Sequence, residues 1–167
     1  YDDVDGDKKE RVFVKEVVID TDFSLLLPDD YVNNITERLN LYTKLNEIKD
    51  ETELLKFQKE LEDRFGELPE EVDDLFNSVR IKWIAINIGL ERVVMKQGRF
   101  IGYFISDQQS DFYQTDTFTR VLKFVQTHTP YLKIKEKKTR NGLRLLLTME
   151  KIYDVRTALE VLEKFSA

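Results

Sequence analysis

One segment, ELLKFQKELEDRFGELP at residues 53–69, specifies the start, the buried face and the end of a helix. Its apolar residues recur three and four positions apart, which predicts a single stripe facing a core. These residues are Leu54, Phe57, Leu61 and Phe65. Asp50, with Glu53 three positions on, resembles a capping box that opens the helix. Gly66 suits the left-handed position that closes a helix, and Pro69 suits the first turn of the next one.

The last turn of this helix carries three ionic residues away from the apolar stripe: Glu60, Asp63 and Arg64. Glu60 and Arg64 are one turn apart and are predicted to pair, with Asp63 beside them on the same exposed surface. A run of this kind is most often a solvated helix face, so the pattern alone assigns it no function.

Helical periodicity extends over residues 28–89, the predicted helical half. Pro28, followed by Asp29 and Asp30, predicts a helix start. That helix would continue to about Ile48, with a core stripe formed by Ile35, Leu39, Tyr42 and Leu45. A third helix comes after Leu68-Pro69 and ends at Gly89. Its apolar stripe is broad enough to contact more than one neighbour, so we expect it to be a spine joining the helical half to the C-terminal half of the chain.

After Gly89 the apolar period becomes alternating, which indicates strands. Two pairs of strand-like runs flank Gln97-Gly98 and Asn141-Gly142, and the second turn predicts a type I′ hairpin. An amphipathic helix pattern comes after each hairpin, so residues 90–167 read as ββαββα. The predicted fold class is α+β, with a three-helix half and then an antiparallel sheet covered by helices on one face.

Residues 1–19 are predicted to be a linker and a leading strand, with residues 20–167 forming the domain. Residues 1–11 are too polar to bury a core, and a β-branched run from Val12 to Ile19 predicts a strand that needs a partner elsewhere. The chain begins with Tyr1, so we expect it to continue a longer protein.

Composition limits the chemistry available. The chain has no cysteine, no apolar run of membrane-spanning length and no signal-peptide pattern, so we expect a cytoplasmic protein without membrane contact. Residues 20–78 carry 17 acids against 6 bases, a net charge of −11, whereas residues 79–167 carry 9 acids against 16 bases, a net charge of +7. The acidic helical half is better suited to a basic protein surface than to phosphate backbones.

Catalytic signals are weak. The single histidine, His128, lies at a predicted helix end and cannot form a metal cluster by itself. Paired acids such as Glu70-Glu71 could imitate a general acid and base, but acids at helix starts need no catalytic explanation. No glycine-rich phosphate loop is present. We therefore expect no catalytic residue, no metal and no cofactor, with a carboxylate-based hydrolase as the hypothesis to exclude.

A second hypothesis is a nucleic-acid-binding accessory module that uses the basic hairpin 131–144. Lys133, Lys135 and Lys137 share one face of a predicted strand, with Arg140 and Arg144 across the turn. Lysines that protect a sheet edge from aggregation would produce the same pattern. The run lacks a series of aromatic residues for stacking, which favours the protective explanation.

The helical half resembles a known family, the C-terminal domain of bacterial transcription-repair coupling factor (Mfd). The resemblance covers residues 20–92 by motif and the rest by the order of elements. It is carried by LLPDDYV at 26–32, Arg38-Leu39 with Tyr42, Glu60-Leu61, DRFG at 63–66 and Leu68-Pro69.

The resemblance implies a regulatory domain of a larger protein. In that family the parent is an ATP-driven double-stranded DNA translocase that removes stalled RNA polymerase and recruits UvrA. Its C-terminal domain packs on a UvrB-like module of the same polypeptide, covers the UvrA-binding surface and restrains the motor. The family's contact residues fall on Glu60, Asp63 and Arg64 here, and ATP and magnesium belong to the motor. The leading hypothesis is a non-catalytic autoinhibitory domain, with residues 1–19 joining it to the motor.

Overall fold

A computed structural model describes residues 13–128 and 130–166. The predicted linker, residues 1–11, and Val12 lie outside the described residues. In chain order the elements are β1 (Val18–Thr21), α1 (Ile35–Glu47), α2 (Glu51–Phe65), α3 (Glu70–Asn87), β2 (Leu90–Lys96), β3 (Arg99–Phe104), a 3-10 turn (Asp111–Gln114), α4 (Asp116–Thr127), β4 (Leu132–Thr139), β5 (Gly142–Glu150), α5 (Val155–Glu163) and a final 3-10 turn (Lys164–Ser166). The predicted α+β class, three helices and then ββαββα, is confirmed.

The first helix starts later than the proline pattern predicted. The carbonyl of Pro28 accepts hydrogen bonds from the amides of Tyr31 and Val32, each at 3.1 Å, which closes a turn rather than opening a helix. Helix α1 begins at Ile35, where the side chain of Asn34 accepts the amide of Glu37 at 2.9 Å. An asparagine side chain satisfies an unpaired amide of the first turn, so it defines the start more strongly than an upstream proline.

The predicted core stripe of α1 is partly wrong. Leu45 is buried and Tyr42 is half-buried, but Ile35 and Leu39 are 64% and 59% exposed. Leu41 takes the buried place instead. The buried face of the helix is instead formed by Arg38, Leu41 and Leu45, at spacings of three and four, so it is rotated about the helix axis relative to the predicted stripe.

Helices α2 and α3 agree closely with the sequence prediction. On α2, Leu54, Phe57 and Leu61 are buried and Phe65 is half-buried. The capping side chain of Asp50 accepts the amide of Glu53 at 2.9 Å.

Helix α3 joins two separate cores, which confirms its predicted role as a spine. Its first half enters the helical core, made of Leu27, Val32, Leu41, Leu45, Ile48, Leu54, Phe57, Leu61, Val72, Leu75, Phe76 and Val79. Its second half, through Ile81 and Ala85, enters the sheet core. That second core also takes Val93, Met95, Phe100, Leu147 and Met149 from the strands, with Val121 and Val125 from α4 and Val155 and Leu159 from α5. One rigid helix therefore connects the two halves.

The sheet has five strands in the order β1-β2-β3-β5-β4. Strands β2 to β5 pair in antiparallel fashion, as predicted, and helices α3, α4 and α5 cover one face through the sheet core. Strand β1 supplies a fifth strand that pairs with β2 in parallel, from Val18 opposite Arg92 to Thr21 opposite Met95. A parallel partner needs a long crossover connection, and here the whole helical half provides it.

The two hairpin turns differ. Gln97 and Gly98 both have positive φ, at 54° and 75°, as the predicted tight turn requires. In the second hairpin Thr139 pairs with Gly142, so Arg140 and Asn141 form the turn. Among the described non-glycine residues only Gln97 and Lys151 have positive φ, so the predicted type I′ turn at Asn141-Gly142 is wrong. Gly142, with φ 113°, is the first residue of β5 instead.

The Tyr113 hydroxyl donates a hydrogen bond to the carbonyl of Ile105 beside the sheet core. Burial, and secondarily the Glu91 carboxylate, raise the pKa of Tyr113 to about 12 from an ordinary value of 10.0. A raised folded-state pKa of an acid contributes stability below the unfolded-state value, and that contribution is lost as pH rises. We expect the free energy of unfolding of Tyr113→Phe to lie about 1 kcal/mol below the parent chain at pH 8, because one hydrogen bond is lost.

The stability advantage of the parent over Tyr113→Phe should fall and then reverse in sign between pH 10 and about 12, where the parent hydroxyl ionises on unfolding. Urea unfolding at pH 8, 10 and 11.5 measures this difference. Because the two proteins share all other titrating groups, their difference isolates Tyr113. If the stability advantage of the parent over Tyr113→Phe stays constant or grows over this pH range, the raised pKa assigned to Tyr113 is wrong.

Candidate functional site

The candidate site is the end of α2, called here the α2 tip and made of Glu60, Asp63 and Arg64. Gly66 ends the helix with φ 94°, and its amide bonds back to the carbonyl of Glu62 at 3.0 Å. The Tyr31 hydroxyl donates to the Gly66 carbonyl at 2.8 Å. The rings of Tyr31 and Phe65 lie 5.8 Å apart, so the turn after Pro28 packs against the helix end and holds it in place.

The Arg64 guanidinium lies over the ring of Phe65, 4.7 Å from its centroid. Arg64 also forms an ion pair with Glu37 of α1. These contacts orient the guanidinium across the end of α2, although its side chain remains 54% exposed.

Glu60 pairs with α1 as well, through Lys44 at 2.9 Å. The hydrogen bond from Lys44 lowers the pKa of Glu60, and the charges of Lys44, Lys56 and Arg64 add to that effect. The side chain of Glu60 is 58% exposed. The predicted pairing of Glu60 with Arg64 is therefore replaced by two pairs that bridge α1 and α2, because antiparallel packing brings a partner on α1 opposite each residue.

Asp63 is exposed and makes no hydrogen bond or ion pair with any residue in the two described ranges. Between α1 and α2 lies a shallow groove of about 200 Å³, lined by Glu37, Asn40, Leu41, Lys44, Phe57, Glu60, Leu61 and Arg64. The α2 tip thus presents two paired ionic groups at the groove and one unpaired carboxylate beside it.

The fold does not depend on these ionic side chains. Exposed ion pairs contribute little to stability, because water competes for both charges and two long side chains must be held in one geometry. The helix is anchored instead by its buried stripe and by the contacts of Tyr31 with the helix end. Glu60 and Arg64 are therefore free to exchange their present partners for groups on another surface, and Asp63 is exposed to such a surface.

The structure gives no support to a carboxylate-based hydrolase. Glu60 and Asp63 are both exposed, and only Glu60 lines the groove, so the two carboxylates do not face one enclosed cleft, and the pKa of Glu60 is lowered rather than raised. Within residues 13–128 and 130–166 no group of three or more potential ligands is placed to hold a metal ion. In the same part of the chain no helix is long and apolar enough to cross a membrane. His128 caps the end of α4, where Nδ1 lies 2.8 Å from the Phe124 carbonyl, as its position predicted.

Sequence reasoning found the three tip residues but missed their partners. Glu37 and Lys44 are seven positions apart, which places them on one side of α1. That spacing was visible in the sequence, but the packing of α1 against α2 was needed to identify the pairs. The open face of the sheet, where three cations surround Tyr103, was also missed.

Comparison with known proteins assigns this α+β domain to a family of domains found in much longer proteins. The sequence model of the TRCF domain family matches residues 21–115, more than half of the chain. The chain therefore belongs to the TRCF domain family, the C-terminal domain of transcription-repair-coupling factor, and the resemblance seen in its motifs is confirmed.

Three curated relatives are transcription-repair-coupling factors. The protein of Rickettsia bellii is 32% identical over 117 residues, covering 70% of this chain and 10% of that protein. Those of Escherichia coli and Staphylococcus haemolyticus are 30% and 29% identical over 128 and 125 residues, covering 69% and 71% of this chain. The chain spans about a tenth of the length of these relatives.

A solved structure described as the C-terminal domain of transcription-repair coupling factor has the same fold. Its TM-score is 0.65 at 21% identity, with 90% of each chain covered. At this identity the likeness establishes the fold alone.

Proposed function

We propose that this domain is a non-catalytic autoinhibitory clamp of its parent protein. It docks on the parent's UvrB-like module, covers the surface that binds UvrA, and restrains the ATP-driven DNA translocase until stalled RNA polymerase is engaged. The α2 tip is the contact. ATP and magnesium belong to the motor of the parent, and residues 1–19 join that motor to this domain in the cytoplasm.

The observation that carries the proposal is the state of the α2 tip. Its three ionic side chains are solvated, two are held by weak exposed pairs, and Asp63 has no partner in the described part of the chain. Groups that the fold does not need are available to a second surface at little cost. The −11 net charge of residues 20–78 favours a basic partner surface.

A clamp must also open, and this geometry suits reversible docking. The ion pairs Lys44–Glu60 and Glu37–Arg64 stabilise the free domain weakly, so docking and release exchange one set of charge contacts for another. Because the domain and its target share one polypeptide, tethering raises their effective concentration and weak contacts suffice. Engagement of polymerase then needs to shift the equilibrium by only a few kcal/mol.

The test is a triple variant, Glu60→Ala, Asp63→Ala and Arg64→Ala, in the full-length parent. We expect basal ATPase activity and UvrA affinity to rise by about 5- to 150-fold, the range of a typical coupling energy. The isolated domain should keep its thermal midpoint within a few degrees, because no buried contact is removed. ATPase rates and UvrA pull-down or fluorescence anisotropy measure the two effects.

A matched control is the triple variant Arg156→Ala, Glu160→Ala and Glu163→Ala on α5. It removes the same types of charge from exposed positions on the sheet half of the domain. The control should behave as the parent does. If the α2 variant leaves both basal ATPase and UvrA binding unchanged, the site assignment is wrong.

A further inference from the structure

The sheet face opposite the helices is called here the basic sheet face. Strand pairing places residues that share a face directly across from one another. One row runs Val18, Arg92, Tyr103, Leu146 and Lys135, and the next runs Asp20, Val94, Ile101, Thr148 and Lys133. On the outer side of the first row, Lys137 of β4 lies opposite Arg144 of β5. On the outer side of the second row, Arg99 of β3 lies between Lys96 of β2 and Glu150 of β5.

Cations converge on Tyr103 at the middle of this face. The Arg144 guanidinium lies 5.1 Å from the ring centroid, that of Arg92 lies 5.8 Å away, and the Lys137 ammonium lies 5.9 Å away. Tyr103 is half-buried, so one part of the ring remains accessible. Three cationic side chains therefore lie within 6 Å of one aromatic ring, a distance at which cations and aromatic rings attract each other.

Carboxylates neutralise part of this face and leave one edge free. Asp20 pairs with Arg92 and Lys96, both at 3.0 Å, Arg99 pairs with Glu150 at 3.0 Å, and Arg144 pairs with Glu91 at 2.8 Å. Lys133, Lys135 and Lys137 are exposed and have no ion-pair partner in the described ranges. The uncompensated charge of the face is therefore concentrated along β4.

These three lysines form a straight, evenly spaced row. Alternate residues of a strand point to the same side and lie about 6.6–6.8 Å apart. That interval is comparable to the spacing of successive phosphates along an extended nucleic-acid strand. Tyr103 lies on β3, across β5 from the row, and the Lys137 ammonium reaches to 5.9 Å from its ring, where a base could stack.

We propose that the basic sheet face binds the sugar-phosphate backbone of single-stranded nucleic acid, with Lys133, Lys135 and Lys137 on successive phosphates and Tyr103 beside the bases. This site is separate from the α2 tip, so either can fail without the other. Edge protection explains lysines on β4, which is an edge strand. It does not explain the further cations on β2 and β5 around Tyr103.

The experiment titrates this chain against a fluorescent 20-nucleotide oligo-dT and a duplex of equal length, from 50 to 200 mM salt. We expect saturable binding of the single strand, at least as tight as that of the duplex. The variant Lys133→Gln, Lys135→Gln and Lys137→Gln should weaken it about tenfold or more at 50 mM salt. Its slope of log affinity against log salt should fall by about 2, since each lost phosphate contact removes about 0.7.

The matched control removes three exposed lysines from the helical half, as Lys49→Gln, Lys56→Gln and Lys59→Gln. It changes net charge equally and should bind as the parent does. Absence of saturable binding, equal loss in both variants, or binding of the duplex alone overturns the proposal. So does tight binding of polyglutamate, or self-association abolished by the β4 variant, without nucleic-acid binding, since either identifies an acidic protein partner.

Discussion

Replacing Gly89 by alanine is expected to destabilise the domain by about 2–5 kcal/mol, the sum of backbone strain and overpacking. Gly89 has φ 86° at the junction between α3 and β2, a conformation that disfavours any side chain. An added Cβ would lie 2.2–2.6 Å from ring carbons of Phe112. That ring is buried and packs against Phe104 and Phe118 at centroid distances of 6.5 and 5.5 Å, so it has little room to move.

The matched control is Gly66→Ala at the end of α2. Gly66 also has positive φ, at 94°, but nothing lies within 4 Å of the position its Cβ would take. It should cost about 1–3 kcal/mol, from backbone strain alone, because φ 94° with ψ −171° is a conformation that essentially only glycine adopts. Urea unfolding of the two variants measures the difference, which reports the steric overlap with Phe112. Equal losses would show that the Phe112 ring yields without cost.

The second large effect is expected from Phe76→Ala, at about 3–5 kcal/mol. Phe76 is buried on the half of α3 that enters the helical core, and its ring lies 6.0 Å from that of Phe57 on α2. Removing it opens a cavity between two helices whose backbones are fixed by other contacts. Chemical unfolding, monitored by fluorescence of Trp83, measures the loss, because Trp83 is the single tryptophan and packs against the same core.

Phe76→Ala also tests whether the two cores unfold together. Helix α3 contributes Val79 to the helical core and Ile81 to the sheet core, so melting one half removes part of the other. In each of the two proteins, parent and variant, we expect the unfolding midpoint from Trp83 fluorescence to equal the midpoint from far-ultraviolet circular dichroism. If the substitution lowers the midpoint measured by fluorescence but leaves the midpoint measured by circular dichroism at its parent value, the helical half and the sheet half unfold as independent units.

The architecture places the acidic and the basic parts of the sequence on different surfaces of the domain. The acidic residues lie on the helical half, which carries the α2 tip, and the unpaired lysines line the far edge of the sheet. Because α3 joins the two halves, the two surfaces keep a fixed position relative to each other. Binding of a partner at one surface can therefore affect the other surface only through this helix or through the electrostatic field of the whole domain.

The sequence alone determined the features whose causes are local. Residues three and four apart on one helix share a face whatever the helix packs against. The apolar stripe from Leu54 to Leu61 and the broad apolar stripe of α3 could therefore be predicted from the sequence. The positive φ of Gly66 was predicted from its place after the last apolar residue of the stripe, because glycine has no Cβ to oppose that conformation. The tip residues were identified by resemblance to a family.

Only the tertiary structure decided which surfaces meet. It placed β1 beside β2 in parallel, gave Glu60 and Arg64 their partners on α1, and brought cations from three strands around Tyr103. Each of these depends on contacts between residues far apart in the chain. Local periodicity carries no information about such contacts, because many pairings bury similar apolar area and the packing of the whole molecule selects among them.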